Sequence, residues 1–124
     1  MKAEAFKPIP VRPPSTSPLL FRLRCALDLQ LGSIVRPLRP AMATLDGDVL
    51  DVGAGESPWR EWLPQGCRYH GVDIANADDY GMHRQPDVTY YDGTTLPFPD
   101  ARFDAAFCIE VLEHVEAPEA FMAE

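Results

Sequence analysis

A chain of 124 residues makes about one domain, with room for a single hydrophobic core. Its apolar share of 46% is ordinary for a soluble globular protein, and no apolar run approaches the roughly 18–20 residues of a membrane span. Residues 1–40 hold seven Lys/Arg against two acids (+5) and residues 41–124 four Arg against seventeen acids (−13), within a net charge of −8; so acidic a body argues against nucleic acid as the main partner.

The first segment, residues 1–18, carries five prolines and is expected to be extended or disordered. Residues 19–40 follow as a helix. Leu20, Leu23, Leu27, Leu31 and Ile34 recur at steps of three and four, Thr16 or Ser17 is available as N-cap, and Arg24 and Asp28 stand four apart as a supporting pair. "RPLRP" should end that helix, because the residue before a proline disfavours the helical region. Its basic, apolar character fits either a membrane-surface element or a lid packed on a sheet, and the lid is the expectation.

From residue 48 the rhythm becomes strand, loop, strand. "DVLDV" is a strand broken by "GAG", and "SPWREWL" reads as a short helix with Ser57 as N-cap and Pro58 at its first position. "CRYHGVDI" is a second strand ending in Asp73, "DVTYYDG" a third ending in Asp92, and residues 103–109 a fourth. Residues 76–87 are polar and irregular, a crossover loop in place of a helix, and "APEAFMAE" begins a helix. Strands separated by crossovers predict an α/β protein with a Rossmann-like, doubly wound parallel sheet and its ligand at the carboxyl ends of the strands.

The glycine pattern there is incomplete for a dinucleotide. Gly53 and Gly55 let a ligand approach the backbone after the first strand, but Pro58 stands where a third glycine would favour a pyrophosphate. Asp73, twenty residues after Gly53, can accept both hydroxyls of a ribose. Asp92 with Gly93 suits an amino group beside a ring nitrogen. A single strand-end aspartate is as readily a turn former. Asp51, Asp73 and Asp92 at three successive strand ends point to a shared site. Trp59, Trp62, Tyr90, Phe103 and Phe107 read as packing residues, and neither His70 nor His83 has metal-ligand spacing, so no metal is expected. Cys25, Cys67 and Cys108 are odd in number with no CxxC spacing and no signal peptide before them, which predicts reduced thiols and a cytoplasmic location.

"VLDVGAG", "YHGVDI", "YDGTTLPFPDARFDAAFCIEVLEHV" and "APEAFMAE" resemble the successive motifs of class I S-adenosylmethionine-dependent methyltransferases of the type 11 branch, over about residues 47–124. The resemblance implies S-adenosyl-L-methionine as cofactor and a methyl acceptor, a small molecule, as substrate. It places Asp51 at the methionine amino end beside Gly53, Ala54 and Gly55, and Asp73 on the ribose with Ile74 against the adenine face. Asp92 and Gly93 meet the adenine edge, and the segment from Cys108 to Glu110 lines the methyl side. His114 is the histidine near the expected methyl site and the one candidate for a catalytic role; in this branch the Glu-His pair recurs with different substrates, which implies a role more structural than catalytic. In relatives the last helix leads into further strands, so residues 41–124 are expected to be the cofactor-binding part, truncated after about four strands. Self-association through an apolar strand edge and an inactive isolated chain are then expected. The alternatives are a fragment or partner subunit that binds cofactor without turnover, and a nicotinamide-dependent oxidoreductase, against which Pro58 and the Asp92–Gly93 pair tell.

Overall fold

The computed structural model describes residues 9–124; most of the first half of the proline-rich segment, residues 1–8, lies outside them. Residues 9–13 carry no regular secondary structure and lead into a 3-10 turn at Pro14–Thr16. The Arg24 guanidinium donates to the carbonyls of Pro10 (2.9 Å) and Ile9 (2.8 Å), and Ser15 Nα–H donates to Glu61 at 2.8 Å, so the segment is tied to the body.

The single helix expected over residues 19–40 is two helices, α1 (Pro18–Leu27) and α2 (Leu29–Met42). The break falls at Asp28, which is not an ion-pair partner of Arg24: it leaves the helical region and its Oδ1 accepts the Leu31 amide at 3.0 Å, capping α2. A charged cap on free amides outweighs an exposed ion pair four residues back. Ser17 sits at the N-cap position of α1 with no side-chain cap bond. Nor does "RPLRP" end the helix: α2 runs through Pro37 and Pro40 to Met42. Each interior proline costs about 3 kcal/mol. Burying Leu31, Leu38 and Met42 offsets that at about 1.5–3 kcal/mol each, and both prolines lie on the exposed side, where water can reach the carbonyls they leave unpaired.

Four parallel strands follow, β1 (Asp48–Val52), β2 (Arg68–Ile74), β3 (Val88–Tyr91) and β4 (Ala105–Cys108), in the spatial order β3-β2-β1-β4. β1 is central, with Asp51 opposite Gly71 of β2 and Phe107 of β4. Side chains alternate across the sheet. One face packs under α2, where Leu31, Leu38, Met42 and Trp59 form a core with Trp62 and Phe107. The other buries Leu50, Val52 and Val72 against Phe98, Phe103 and Phe121, the last from α3 (Pro118–Ala123). Helices thus cover both faces, and the chain is an α/β protein with a Rossmann-like parallel sheet. No described helix is long and apolar enough to cross a membrane.

Asp48 starts β1 and clamps the amino-terminal end of the sheet: it accepts from Arg68 Nε (3.0 Å), His70 Nε2 (2.9 Å) and Arg102, and the Arg68 bond above all holds its carboxyl well below the usual range. The helix expected from "SPWREWL" is only a 3-10 turn, Arg60–Trp62, and Ser57 is not its cap. Trp59 and Trp62 lie 5.1 Å apart between centroids with Phe21 edge-on to both, which joins α1 to the same core.

Replacing Asp28 with Ala should cost about 1 kcal/mol by leaving the first amides of α2 uncapped. Urea denaturation checks it; an unchanged midpoint would contradict the capping role.

Candidate functional site

The carboxyl ends of β1, β2 and β3 meet at one edge of the sheet. After β1 the chain turns sharply through Gly53 (φ +73°) and Gly55 (φ +54°), backbone that residues with a Cβ rarely adopt. The turn is fastened to β2: Gly53 and Ala54 amides both donate to the Val72 carbonyl, at 2.8 and 3.1 Å, and the Gly55 amide donates to Asp73 Oδ2 at 2.8 Å. Asp73 Oδ1 accepts the amide of Ile74 at 2.7 Å. Each of these oxygens keeps a second lone pair for a ligand.

Asp92 follows β3 and is exposed; its Oδ1 accepts from both the amide (2.9 Å) and the hydroxyl (2.7 Å) of Thr94, which holds its carboxyl below the usual range. Gly93 (φ +85°) lies close enough to Ile74 that an added Cβ would stand 3.3 Å from Cγ2. The Tyr91 phenol is pushed up first by burial and then by Asp73 and Asp92, so both acids stand near its ring. Asp51, Gly53, Ala54, Gly55, Asp73, Ile74, Asp92 and Gly93 therefore share one end of the sheet.

Asp51 is the unusual member. It is 3% exposed, and burial raises its carboxyl to about 7, against the lowering effect of a 2.8 Å bond from Tyr69. Cys108 is half-buried, its thiol pushed up by burial and then by Asp51 and Glu113. Glu110 is strained (φ +59°) and exposed, and its Oε2 accepts from Gln30 of α2 at 2.7 Å, so its carboxylate faces the helix. His114 is exposed on a 3-10 turn, Leu112–His114.

Several contributors were not anticipated. Tyr69 and Ser57 hold Asp51, and Gly71 makes room for them: a Cβ at position 71 would stand 3.0 Å from the Tyr69 hydroxyl and 2.7 Å from Val88 Cγ2. A glycine inside the strand "RYHGVDI" was the available signal. Residues 76–87 contain a 3-10 turn at Ala77–Tyr80 and reach back to the glycine turn, where His83 Nδ1 pairs with Glu56 Oε1 at 2.7 Å. Met82 Sδ stands 3.5 Å from where a Cβ on Gly55 would lie, and Val111 packs directly on Gly53. A ligand along that turn must share this space with Val111. Two open concavities of about 460 and 450 Å³ lie elsewhere, one between Arg60, Tyr69 and Asp87 and one against Leu20, Leu23 and Leu27.

Gly53→Ala should lose about 2–4 kcal/mol of stability, from left-handed backbone strain and the collision with Val111. Thermal and urea melts check it; wild-type stability would show that the turn tolerates a side chain.

The methyltransferase-domain family matches residues 50–124. A solved structure of a candidate type II methyltransferase from Anaeromyxobacter dehalogenans is similar at 25% identity and a TM-score of 0.49, over 94% of this chain and 43% of that one. The chain thus spans less than half the length of that protein. No curated protein matches the sequence.

Proposed function

The chain belongs to the methyltransferase-domain family, and from that premise we propose that it binds S-adenosyl-L-methionine at the carboxyl ends of β1–β3 for transfer of its methyl group to a small-molecule acceptor. The observation that carries the reading is the fastening of the glycine turn to Asp73: one carboxylate organises the turn and still offers lone pairs to a ribose. The residues fit the cofactor's parts. Asp51, buried with one oxygen unpaired by protein, suits the cationic amino end; Asp73 suits the ribose hydroxyls, with Ile74 along the base and Asp92 and Gly93 at its polar edge. The bound cofactor supplies an activated methyl group on a sulfonium, so the protein's part is to align an acceptor and exclude water. Family membership favours this cofactor over a nicotinamide. Cys108 borders the methyl side in this reading, with Glu110 and His114 at its outer rim.

S-adenosylhomocysteine is the probe for titration calorimetry. Asp73→Ala should weaken its binding by about 1.5–3 kcal/mol, the scale of hydrogen bonds to a charged group. Equal affinity in a folded variant would sink the ribose assignment.

Asp51 adds a pH signature. An amino end that carries its positive charge needs the ionised carboxylate, so affinity should rise as pH climbs through about 7. Asp51's folded-state value lies above its unfolded one, so ionising it subtracts stability as pH rises from about 4 toward 7. A bound cation offsets that loss, and the ligand's increase in melting temperature should grow across the same window. A flat profile between pH 5.5 and 7.5 would remove Asp51 from the amino end.

A second observation concerns assembly. β4 is an edge strand, and its outer side meets no other strand among the described residues. Its sequence, AAFC, carries none of the charges or prolines that discourage pairing. Self-association through β4 is the expected behaviour of this chain. Light scattering over a concentration series checks it; a concentration-independent monomer would refute the pairing.

A further inference from the structure

We propose that Tyr69 is a positioning residue of the cofactor site, aiming the Asp51 carboxylate at the ligand's amino end through a hydrogen-bond chain that begins at Ser57; the inference rests on the reading of Asp51 given above. Tyr69, half-buried in β2, lies on the same face as Gly71 and Asp73. Its side chain runs along the sheet over Gly71, whose missing Cβ provides the space, and its hydroxyl meets Asp51 Oδ2 at 2.8 Å and Ser57 Oγ at 2.7 Å. A phenol has one proton to give. With Asp51 ionised, that proton goes to the carboxylate, and the Ser57 hydroxyl donates to the phenolic oxygen.

Three features hold the chain in place. Ser57 is 3% exposed and takes φ +54°, a conformation uncommon for serine, which turns its hydroxyl inward to the phenol. The Arg60 guanidinium lies 4.4 Å over the Tyr69 ring while its Nη1 pairs with Asp87 at 2.8 Å, so the ring is gripped from outside the sheet. Asp51 Oδ2 is thereby committed to Tyr69. Oδ1 has no hydrogen-bond partner among the described residues, and no described side-chain oxygen is both sealed from solvent and unpaired, so Oδ1 is the oxygen left to face a ligand. The charged and titratable groups around the carboxylate are Tyr69 and Asp73 of β2, Arg60 and Cys108. Burial and Asp73 oppose its ionisation, whereas Tyr69 and then Arg60 favour it. The phenol is thus the largest contribution that keeps the carboxylate available near neutral pH.

Tyr69→Phe keeps the ring and removes the donor. The experiment follows the Asp51 carboxyl by carbon-detected NMR without ligand, and S-adenosylhomocysteine affinity by calorimetry from pH 5.5 to 8, in wild type, Tyr69→Phe and Asp51→Asn. Expected is an Asp51 titration moved upward in Tyr69→Phe, with an affinity loss of about tenfold at pH 7 that shrinks as pH rises. Ser57→Gly, which suits the left-handed backbone and removes the hydroxymethyl side chain, should move the titration the same way by less. Should Tyr69→Phe fail to fold, the Ser57→Gly titration decides the contact. An unmoved Asp51 titration overturns the proposal at the contact itself. A loss of affinity equal at every pH overturns it as a positioning role and leaves only structural support. Wild-type affinity matched by Asp51→Asn overturns the amino-end reading instead, and with it the purpose assigned to Tyr69.

Discussion

A carboxylate buried on the central strand of a parallel sheet is the constraint from which the rest of this site follows. An ionised carboxylate taken out of water loses solvation worth several kcal/mol unless donors replace it. Asp51 on β1 is 3% exposed and receives one such donor, the Tyr69 phenol from β2. That phenol reaches it only because residue 71, directly opposite Asp51 in the register, is glycine. Burial still dominates, which is why the carboxyl sits near 7 and not in its usual range. A group poised in this way is costly for folding and useful for binding a cation, and such compromise is typical of functional sites.

The glycine turn is the second half of the same arrangement. Its amides are distributed between the carbonyl of Val72 and the carboxylate of Asp73, so β1's exit is bound to β2's end and not left to face solvent. Asp73 consequently has two tasks: structural acceptor for Gly55 and Ile74, and candidate acceptor for a ligand's hydroxyls. The turn-former reading of a strand-end aspartate holds here, and the same residue is the proposed ligand group. Asp92 leans further toward the structural side, since one of its oxygens takes both donors of Thr94. Residues 76–87 close the turn from outside through His83 and Glu56, in place of the helix that would ordinarily cross there.

α2 connects the amino-terminal segment to this end of the molecule. It buries Leu31, Leu38 and Met42 on the face that carries Asp51 and Phe107, and its Gln30 reaches Glu110 beyond β4. α1 behaves differently. Leu20, Leu23 and Leu27, which carry the helical periodicity, are 65%, 53% and 77% exposed. The periodic stripe therefore divides at Asp28: its second part enters the core and its first part stays outside. Periodicity reports that a face is apolar, and only packing says whether anything covers it.

What the sequence determined by itself is the alternation of strands with crossovers, the parallel sheet, the glycine turn after β1 and the acids at three strand ends. These are local signals: β-rich runs, glycine where φ must be positive, and polar residues where a strand stops. Tertiary structure decided the rest. Thr16, Ser17 and Ser57 were equivalent cap candidates by type, yet Ser57 became the partner of a half-buried phenol and Asp28 became the working cap. "RPLRP" carried a stop signal that α2 overrode, because apolar burial on the sheet outweighed two missing amide bonds. Tyr69 had no local mark of function at all. Its contact with Asp51 arises because it stands two residues before Gly71, the glycine paired with Asp51 in the register, and reaches over it to a carboxylate eighteen residues away along the chain. Contacts of that kind are set by which strands pair and in what register, and no short stretch of residues contains that information.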